Sequence, residues 1–407
     1  MHLNLDYTKK KITNTNIKIS GSKSESNRLL ILQQWYANLR LENLSDSDDT
    51  RHLQQALATD SEVVNIGHAG TAMRFLTAYF SLKPESKVVL TGSERMQNRP
   101  IQILVDALQS LDADIEYVEK MGYPPLQING KKLLKKSVSI QGNVSSQYIS
   151  ALLLIAPHLE NGLEIELLGE ITSRPYLEMT LSLLHQVGIK TQWHKNIIKV
   201  HQQQEIDDET IVIESDWSSA SYFYSLIALS EIGAQITLSY YKKESLQGDS
   251  CLAEIYKAFG VETEFLNHSI TLKKTKIVSR QGEKPIQLNL VSAPDIAQTI
   301  AVTCFGLGFA CHLTGLHTLK IKETDRLVAL KNELQKLGAI LEITDESLHL
   351  EESLRINKDV SIETYNDHRM AMAFAPFALI VPITIKDADV VTKSYISFWE
   401  DLEACLQ

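Results

Sequence analysis

Apolar positions along the chain fall into two alternating kinds of helix-length run. One kind is short and apolar nearly all round: residues 24–36, 71–80, 146–156, 218–229, 294–305 and 368–380. A helix without a polar face belongs inside a core. The other kind is amphipathic and runs into a β-like segment. Residues 100–111 precede ADIEYV, 175–187 precede IKTQW, 250–259 precede VETEF, and 323–337 precede AILEI. Gly188, Gly260 and Gly338 stand just past three of these helices, and Asp112 takes that place once. The chain must reverse there, and glycine reaches the left-handed backbone region at least cost.

The all-apolar helices begin at residues 24, 71, 146, 218, 294 and 368, so they lie 47, 75, 72, 76 and 74 residues apart. A period near 75 is too long for a solenoid repeat. It fits a supersecondary unit of two helices and several strands, used about six times. Alternating helices and strands predict an α/β (α+β) protein. Six units divide into two domains of three, and the polar stretch at residues 202–209 places the boundary near residue 214.

Composition narrows the function. The chain has 407 residues, 44% hydrophobic and 22% charged, with a net charge of −10. That balance excludes a disordered or fibrous chain. An acidic total argues against nonspecific nucleic-acid or anionic-membrane binding. No run reaches the roughly 18 apolar residues of a membrane helix, and the polar start reads as no signal peptide. The expected location is the cytoplasm. Four cysteines (Cys251, Cys304, Cys311, Cys405) form no CxxC pair, and three fall in apolar helical patterns, so buried thiols are expected.

Against this acidic background, cations gather where helices start. Gly21-Ser22-Lys23-Ser24 opens the first apolar helix with Arg28 one turn in, and Gly67-His68-Ala69-Gly70-Thr71 opens the next, with Arg74. Ser145-Ser146-Gln147 and Asn366-Asp367-His368-Arg369 open two more, and Arg99-Pro100, Ser173-Arg174-Pro175 and Lys322-Glu323-Thr324-Asp325-Arg326 introduce amphipathic ones. Ser, Thr and Asp at such positions are ordinary caps. Lys and Arg in a first turn oppose the helix dipole unless an anion sits there. Reading Lys23, Arg28, Arg74, Arg99, Lys322, Arg326 and Arg369 all as first-turn residues therefore points to phosphate or carboxylate ligands. Other chemistries lack their motifs: no GxxxxGK[ST], GxGxxG or GxSxG occurs, and no zinc-ligand spacing is present.

Ten segments together carry a resemblance. They are GSKSESNR (21–28), AGTAMR (69–74), NRPI (98–101), SSQYISALL (145–153), SRPYLEMTL (173–181), DWSSASYF (216–223), APDIAQTIAV (293–302), KETDRL (322–327), NDHRMAMAFA (366–375) and Lys393-Ser394-Tyr395. In this order they resemble the 5-enolpyruvylshikimate-3-phosphate synthases across nearly the whole chain. The resemblance implies a two-domain inside-out α/β barrel, each domain of three βαβαββ units, with the active site in the cleft between. The domains would be 20–214 and 1–19 with 215–407. It further implies transfer of the enolpyruvyl group of phosphoenolpyruvate to the 5-hydroxyl of shikimate 3-phosphate with release of phosphate, by a monomer needing no cofactor and no metal.

By the same resemblance, shikimate 3-phosphate is expected on Lys23, Ser24, Arg28, Ser145, Ser146, Gln147, Ser173, Tyr176, Asp295 and Lys322. Phosphoenolpyruvate is expected on Lys23, Gly70, Arg99, Gln147, Arg326, Arg369 and Lys393. Asp295 and Glu323 are the expected proton-transfer groups, with Lys23 beside the reacting C–O bonds. Each substrate carries a carboxylate and a phosphate, the latter about −1.5 to −2 at neutral pH, so two mutually repelling anions must be brought together by fixed cations. The chain departs from the family pattern at His68, Phe75, Thr318 and Ile396. Two rivals remain in view. The sister transferase acting on UDP-N-acetylglucosamine usually carries a cysteine on a loop of its first domain, whereas no cysteine precedes residue 251 here. A noncatalytic anion-binding descendant would not need Asp295, Glu323, Lys23 and Lys393 together.

Overall fold

A computed structural model describes residues 1–171, 174–279, 282–322, 324–353 and 355–407. Ser173 and Glu323, both expected at the site, lie outside the described residues. The chain forms two compact units: residues 21–213, and residues 1–20 with 214–407. They are called the N-terminal and C-terminal units below.

Each unit repeats one arrangement. In the N-terminal unit, strand Val63–Asn65 leads through helix Gly70–Leu82 to the parallel strand Lys87–Thr91. Helix Gln102–Ser110 then leads into an antiparallel pair, Asp114–Tyr117 and Leu126–Asn129, which completes a four-stranded sheet. The segment from Ser137–Gln141 to Ile197–Val200 repeats this order with helices Ser146–Ile155 and Arg174–Gln186. In the C-terminal unit, Thr15–Ile17 and Ile286–Asn289 each begin the same βαβαββ order, with hairpins Val261–Leu266/Ser269–Lys274 and Leu341–Ile343/Ser347–Leu350.

The two remaining repeats are abbreviated. Strand Leu39–Glu42 pairs in parallel with Glu209–Val212, from the far end of the same unit, and helix Asp48–Ala58 runs directly toward the next repeat without a hairpin. This missing hairpin explains why the first helix spacing is 47 rather than about 75. In the C-terminal unit, Val360–Ile362 and Ile383–Ile385 are completed by a single antiparallel strand, Leu3–Leu5.

Burial follows the sequence pattern. Every residue of Gly70–Leu82 and of Trp217–Ala228 is buried. Helices Lys23–Trp35, Gly70–Leu82 and Ser146–Ile155 pack on one another, as do Trp217–Ala228, Ala297–Leu307 and His368–Phe374 in the other unit. The strands show the complementary behaviour: Leu163–Leu168 alternates buried and exposed positions throughout, so its sheet keeps one face in water. Asp112, Gly188, Gly260 and Gly338 all have positive φ (74°, 90°, 78° and 102°), as the chain reversals require.

Several boundaries differ from the sequence reading. The helix expected over 368–380 becomes 3-10 after Phe374, because Pro376 has no N–H to donate to the preceding turn. The expected helix at 250–259 is only one α-turn, Leu252–Ile255, between the 3-10 turns Gly248–Cys251 and Tyr256–Phe259. Helix Asp48–Ala58 went unread because its apolar stripe is narrow, although the Ser47 hydroxyl caps Thr50 N. Cys304, Cys311 and Cys405 are buried and Cys251 partly so, with Cys311 in a strand rather than a helix.

One buried charge ties the C-terminal unit together. Lys274 donates from Nζ to Ala228 O at 2.6 Å and to Phe259 O at 2.8 Å, the last carbonyls of two helical segments. Lys274→Met would leave two buried carbonyls unpaired, and the expected loss is about 2–4 kcal/mol. A lowered urea midpoint for loss of far-UV signal checks it.

Candidate active site

The C-terminal unit gathers its expected residues around one carboxylate. Asp295 lies in a 3-10 turn, Pro294–Ile296, ahead of helix Ala297–Leu307. Its Oδ1 accepts from Arg326 Nη1 at 2.8 Å and lies 3.5 Å from Lys322 Nζ, while Oδ2 accepts from Arg369 Nη2 at 3.1 Å. Arg326 opens helix Arg326–Lys336 and is only 2% exposed. Its Nε donates to Asp367 Oδ2 at 2.6 Å. Asp367 uses its other oxygen to cap Arg369 N at the start of helix His368–Phe374. A buried guanidinium is thereby balanced by two carboxylates. Arg369 also donates to Ser218 Oγ at 3.2 Å and Tyr222 Oη at 3.5 Å. Burial opposes its charge, but Asp295, Tyr222 and Asp249 outweigh that and hold its proton affinity above the ordinary value. Lys393 ends the 3-10 turn Ala388–Lys393, which packs on helix His368–Phe374.

The N-terminal unit holds its expected residues in four places. Lys23, the first residue of its helix, lies 3.3 Å from the buried Asp49. Gly70 opens its helix against Arg99: a β-carbon at Gly70 would lie 2.4 Å from Arg99 Nη1, so the guanidinium sits where any side chain would intrude. Gln147 donates from Nε2 to Thr71 Oγ1 at 3.1 Å, beside Ser146 and the capping Ser145. Arg28 is buried and donates to Ser24 O (2.7 Å), Thr180 Oγ1 (2.7 Å) and Ser150 Oγ (3.3 Å). It also lies over the Phe75 ring, 5.6 Å from its centroid. Thr180 in turn donates to Tyr176 O. Arg28 therefore ties three helices through neutral oxygens, and burial pushes its guanidinium down to about 10.

Four of the seven cations expected in first turns lie outside them. Arg28 and Arg74 sit in second turns and reach back to first-turn carbonyls, Arg74 to Gly70 O at 2.9 Å. Arg74 also reaches Met96 Sδ and Pro100 O, which makes it a tie between segments. Arg99 precedes helix Gln102–Ser110, and Lys322 follows the 3-10 turn His317–Ile321, so neither is in a helical turn of its own. Helix dipoles alone do not explain these positions. Of these four, only Lys322 is accounted for by a charge pair of Asp295, which also holds Arg326 and Arg369.

Comparisons with known proteins bear on this geometry. Residues 53–402 match the family model described as EPSP synthase (3-phosphoshikimate 1-carboxyvinyltransferase). The chain is 47% identical over 391 residues to the 3-phosphoshikimate 1-carboxyvinyltransferase of Bacteroides fragilis (strain YCH46), covering 95% of this chain and 94% of that one. The chain belongs to the EPSP synthase family. A family relative from Haemophilus influenzae (strain PittEE) is 37% identical, covering 96% of both chains. The EPSP synthase structure from Acinetobacter baumannii superposes with a TM-score of 0.81 at 20% identity, covering 100% of this chain and 99% of that one, which bears on the fold.

Further residues hold the expected ones in place. Asp49 faces Lys23, Asp367 holds Arg326, and Thr180 and Ser150 seat Arg28. Asp49 stood in the unread helix, and Asp367 was read only as a cap. Asp249 is the least expected: it is buried, accepts from Ser218 Oγ, and is pushed up to about 7 by burial and by the nearby Asp295. Among the departures, Phe75 is a buried platform for Arg28, while His68 is exposed and meets His52 edge-on with ring centroids 5.8 Å apart. Asp367→Asn would take one of two carboxylates from the buried Arg326 and leave it Asp295, so a destabilisation below the about 3–5 kcal/mol of a fully broken buried pair is expected. Chemical unfolding of the variant at neutral pH measures it.

Proposed function

We propose that this chain transfers the enolpyruvyl group of phosphoenolpyruvate to the 5-hydroxyl of shikimate 3-phosphate, with groups of both units serving the one pair of substrates. One observation carries the assignment of roles. Arg326 and Arg369 already grip a carboxylate, that of Asp295, from two sides. A guanidinium pair so arranged suits the carboxylate of phosphoenolpyruvate, while Arg99 against Gly70, with Lys23 and Lys393, would take its phosphate. Gln147 would touch both substrates.

Shikimate 3-phosphate would be held by Lys23, Ser24, Arg28, Ser145, Ser146, Gln147, Ser173, Tyr176, Asp295 and Lys322. The reaction is an addition followed by an elimination. In the addition, a base takes the 5-hydroxyl proton as its oxygen bonds to the enol carbon, and an acid protonates the methylene carbon. In the elimination the phosphate leaves, a proton is removed from the new methyl group, and the enol ether forms. Asp295 and Glu323 are the groups proposed for these exchanges, with Lys23 stabilising charge at the C–O bonds. The reading takes the protein as a cytoplasmic monomer that needs no cofactor.

Asp295 enters this scheme with its oxygens occupied by cations, so a substrate anion and Asp295 compete for the same guanidinium groups. Asp295→Asn is expected to lower kcat by about 10³-fold or more, within the range for losing an acid–base group and its electrostatics. The same variant should bind phosphoenolpyruvate at least as tightly as wild type, since the competing charge is gone. Phosphate release with both substrates and calorimetric titration read the two effects; near-wild-type turnover would remove Asp295 from the chemistry. Gly70→Ala drives a β-carbon into Arg99, and the KM for phosphoenolpyruvate should rise tenfold or more, about 1.4 kcal/mol, with less effect on that for shikimate 3-phosphate. Steady-state kinetics with each substrate varied in turn separates the two.

A further inference from the structure

Asp249 is a buried carboxyl that the proposed chemistry does not use, held in a segment fixed on both sides. Gln247 accepts from Trp217 N at 2.9 Å through Oε1 and donates to Ser215 O at 3.0 Å through Nε2, which seats the segment on the start of helix Trp217–Ala228. Gly248 passes so close to the Ser292 backbone that a β-carbon there would lie 2.3 Å from Ser292 O. The next residue, Asp249, accepts a hydrogen bond from Ser218 Oγ, and Ser218 Oγ accepts in turn from Arg369 Nη2 at 3.2 Å. Arg369 spends the same nitrogen on Asp295. The result is a continuous line, Asp249–Ser218–Arg369–Asp295, within one unit.

We infer that Asp249 is a positioning residue for the phosphoenolpyruvate subsite: through the Ser218 hydroxyl it sets how firmly the Arg369 guanidinium is withheld from the substrate carboxylate. This deepens the proposed function and rests on its assignment of Arg369. With Asp249 ionised, the Ser218 proton points at its carboxylate, the Ser218 lone pairs face Arg369, and a negative charge beside the guanidinium repels an incoming anion. With Asp249 protonated, its O–H donates to Ser218, the local charge falls by one, and Arg369 turns to substrate at less cost. The carboxyl is raised to about 7, so both forms exist near neutrality.

The groups facing Asp249 come from every neighbouring element. They are Ser218 and the capping carboxylate Asp216 at the start of helix Trp217–Ala228, Arg369 from helix His368–Phe374, and Asp295 from the turn before helix Ala297–Leu307. Cys251, two residues on, has its thiol pushed up to about 12 by burial and by Asp249, so it stays neutral. Asp295 and Asp216 both disfavour a charged Asp249, the Ser218 hydrogen bond favours it, and so does the charge of Arg369. An anion bound to Arg369 removes that support, so substrate binding and protonation of Asp249 promote each other.

The test is the pH dependence of KM for phosphoenolpyruvate at saturating shikimate 3-phosphate, from pH 6 to 8.5, in wild type and in Asp249→Asn. Asparagine mimics the protonated carboxyl, since its amide N–H donates to Ser218. Titration of the substrate phosphate and of other groups cancels in the ratio of the two KM values. That ratio should be near one at pH 6 and rise about tenfold by pH 8.5, a one-unit displacement of the carboxyl's titration on binding, with a midpoint near 7 and a flat kcat ratio. A ratio constant across the range overturns the inference, as does a kcat loss with unchanged KM. If Asp249→Asn does not fold, Ser218→Ala breaks the same line and should lessen the rise of KM with pH, leaving the part carried by the Asp249 charge alone; a profile parallel to wild type again overturns it. Wild-type protein that neither binds phosphoenolpyruvate nor releases phosphate would instead sink the proposed function, leaving a distinct signature.

Discussion

The carboxylate of Asp295 is claimed at once by Arg326, Arg369 and Lys322. Most of what is distinctive in the C-terminal unit follows from that sharing. A guanidinium as deeply buried as Arg326 is tolerable only with full compensation, and Asp367 and Asp295 provide it. Asp367 can do so because its backbone position, immediately before helix His368–Phe374, aims one oxygen at a helix N–H and leaves the other for Arg326. The cluster is thus fixed by secondary structure at three places: the turn before Ala297–Leu307, the start of Arg326–Lys336, and the start of His368–Phe374. Arginine suits these positions better than lysine, since its planar fork reaches two carboxylates at once and keeps its charge when buried.

The N-terminal unit solves a different electrostatic problem. Arg28 and Arg74 are buried against neutral oxygens, and burial pushes both down to about 10. For Arg74 the neighbouring charge of Arg99 adds to this effect. Such cations are held by geometry rather than charge: each reaches back one turn to a carbonyl of its own helix and across to another segment. Tyr176 and Glu25 support the charge of Arg28, and Tyr148 that of Arg74, but burial outweighs them. The C-terminal unit, by contrast, carries its own anion in Asp295. The two units therefore balance their buried arginines differently, by neutral oxygens around Arg28 and Arg74 in one and by shared carboxylates in the other.

Much of the fold was legible because helices apolar on every side have one destination, and because positive-φ positions announce chain reversals. The repeat of about 75 residues survives in the structure, and its one short interval is explained by a missing hairpin. What could not be read was pairing between distant segments. Nothing local in Glu209–Val212 says that it lies beside Leu39–Glu42, or that Leu3–Leu5 completes the sheet of Ile383–Ile385. At the site, motifs singled out the residues that carry charge. Asp49 and Asp249 are common residue types outside those motifs, Ser218 and Thr180 stand inside them without a charge to mark them, and only the packing of separate elements brings all four into contact.

The helix macrodipole does not account for the cations near helix starts. Arg28 and Arg74 satisfy carbonyls, and Arg99 and Lys322 lie outside helical turns. A macrodipole supplies about half a charge and fades within a turn. Asp295 supplies a whole charge at hydrogen-bond distance, and on magnitude it must dominate the orientation of Arg326 and Arg369. Where Arg326 and Arg369 receive the substrate as proposed, it would meet a pair already oriented for a carboxylate and need not reorganise long side chains from solvent. Much of the ordering entropy of those two arginines is spent when the chain folds, which leaves more of the substrate's binding energy for bringing the reacting atoms together.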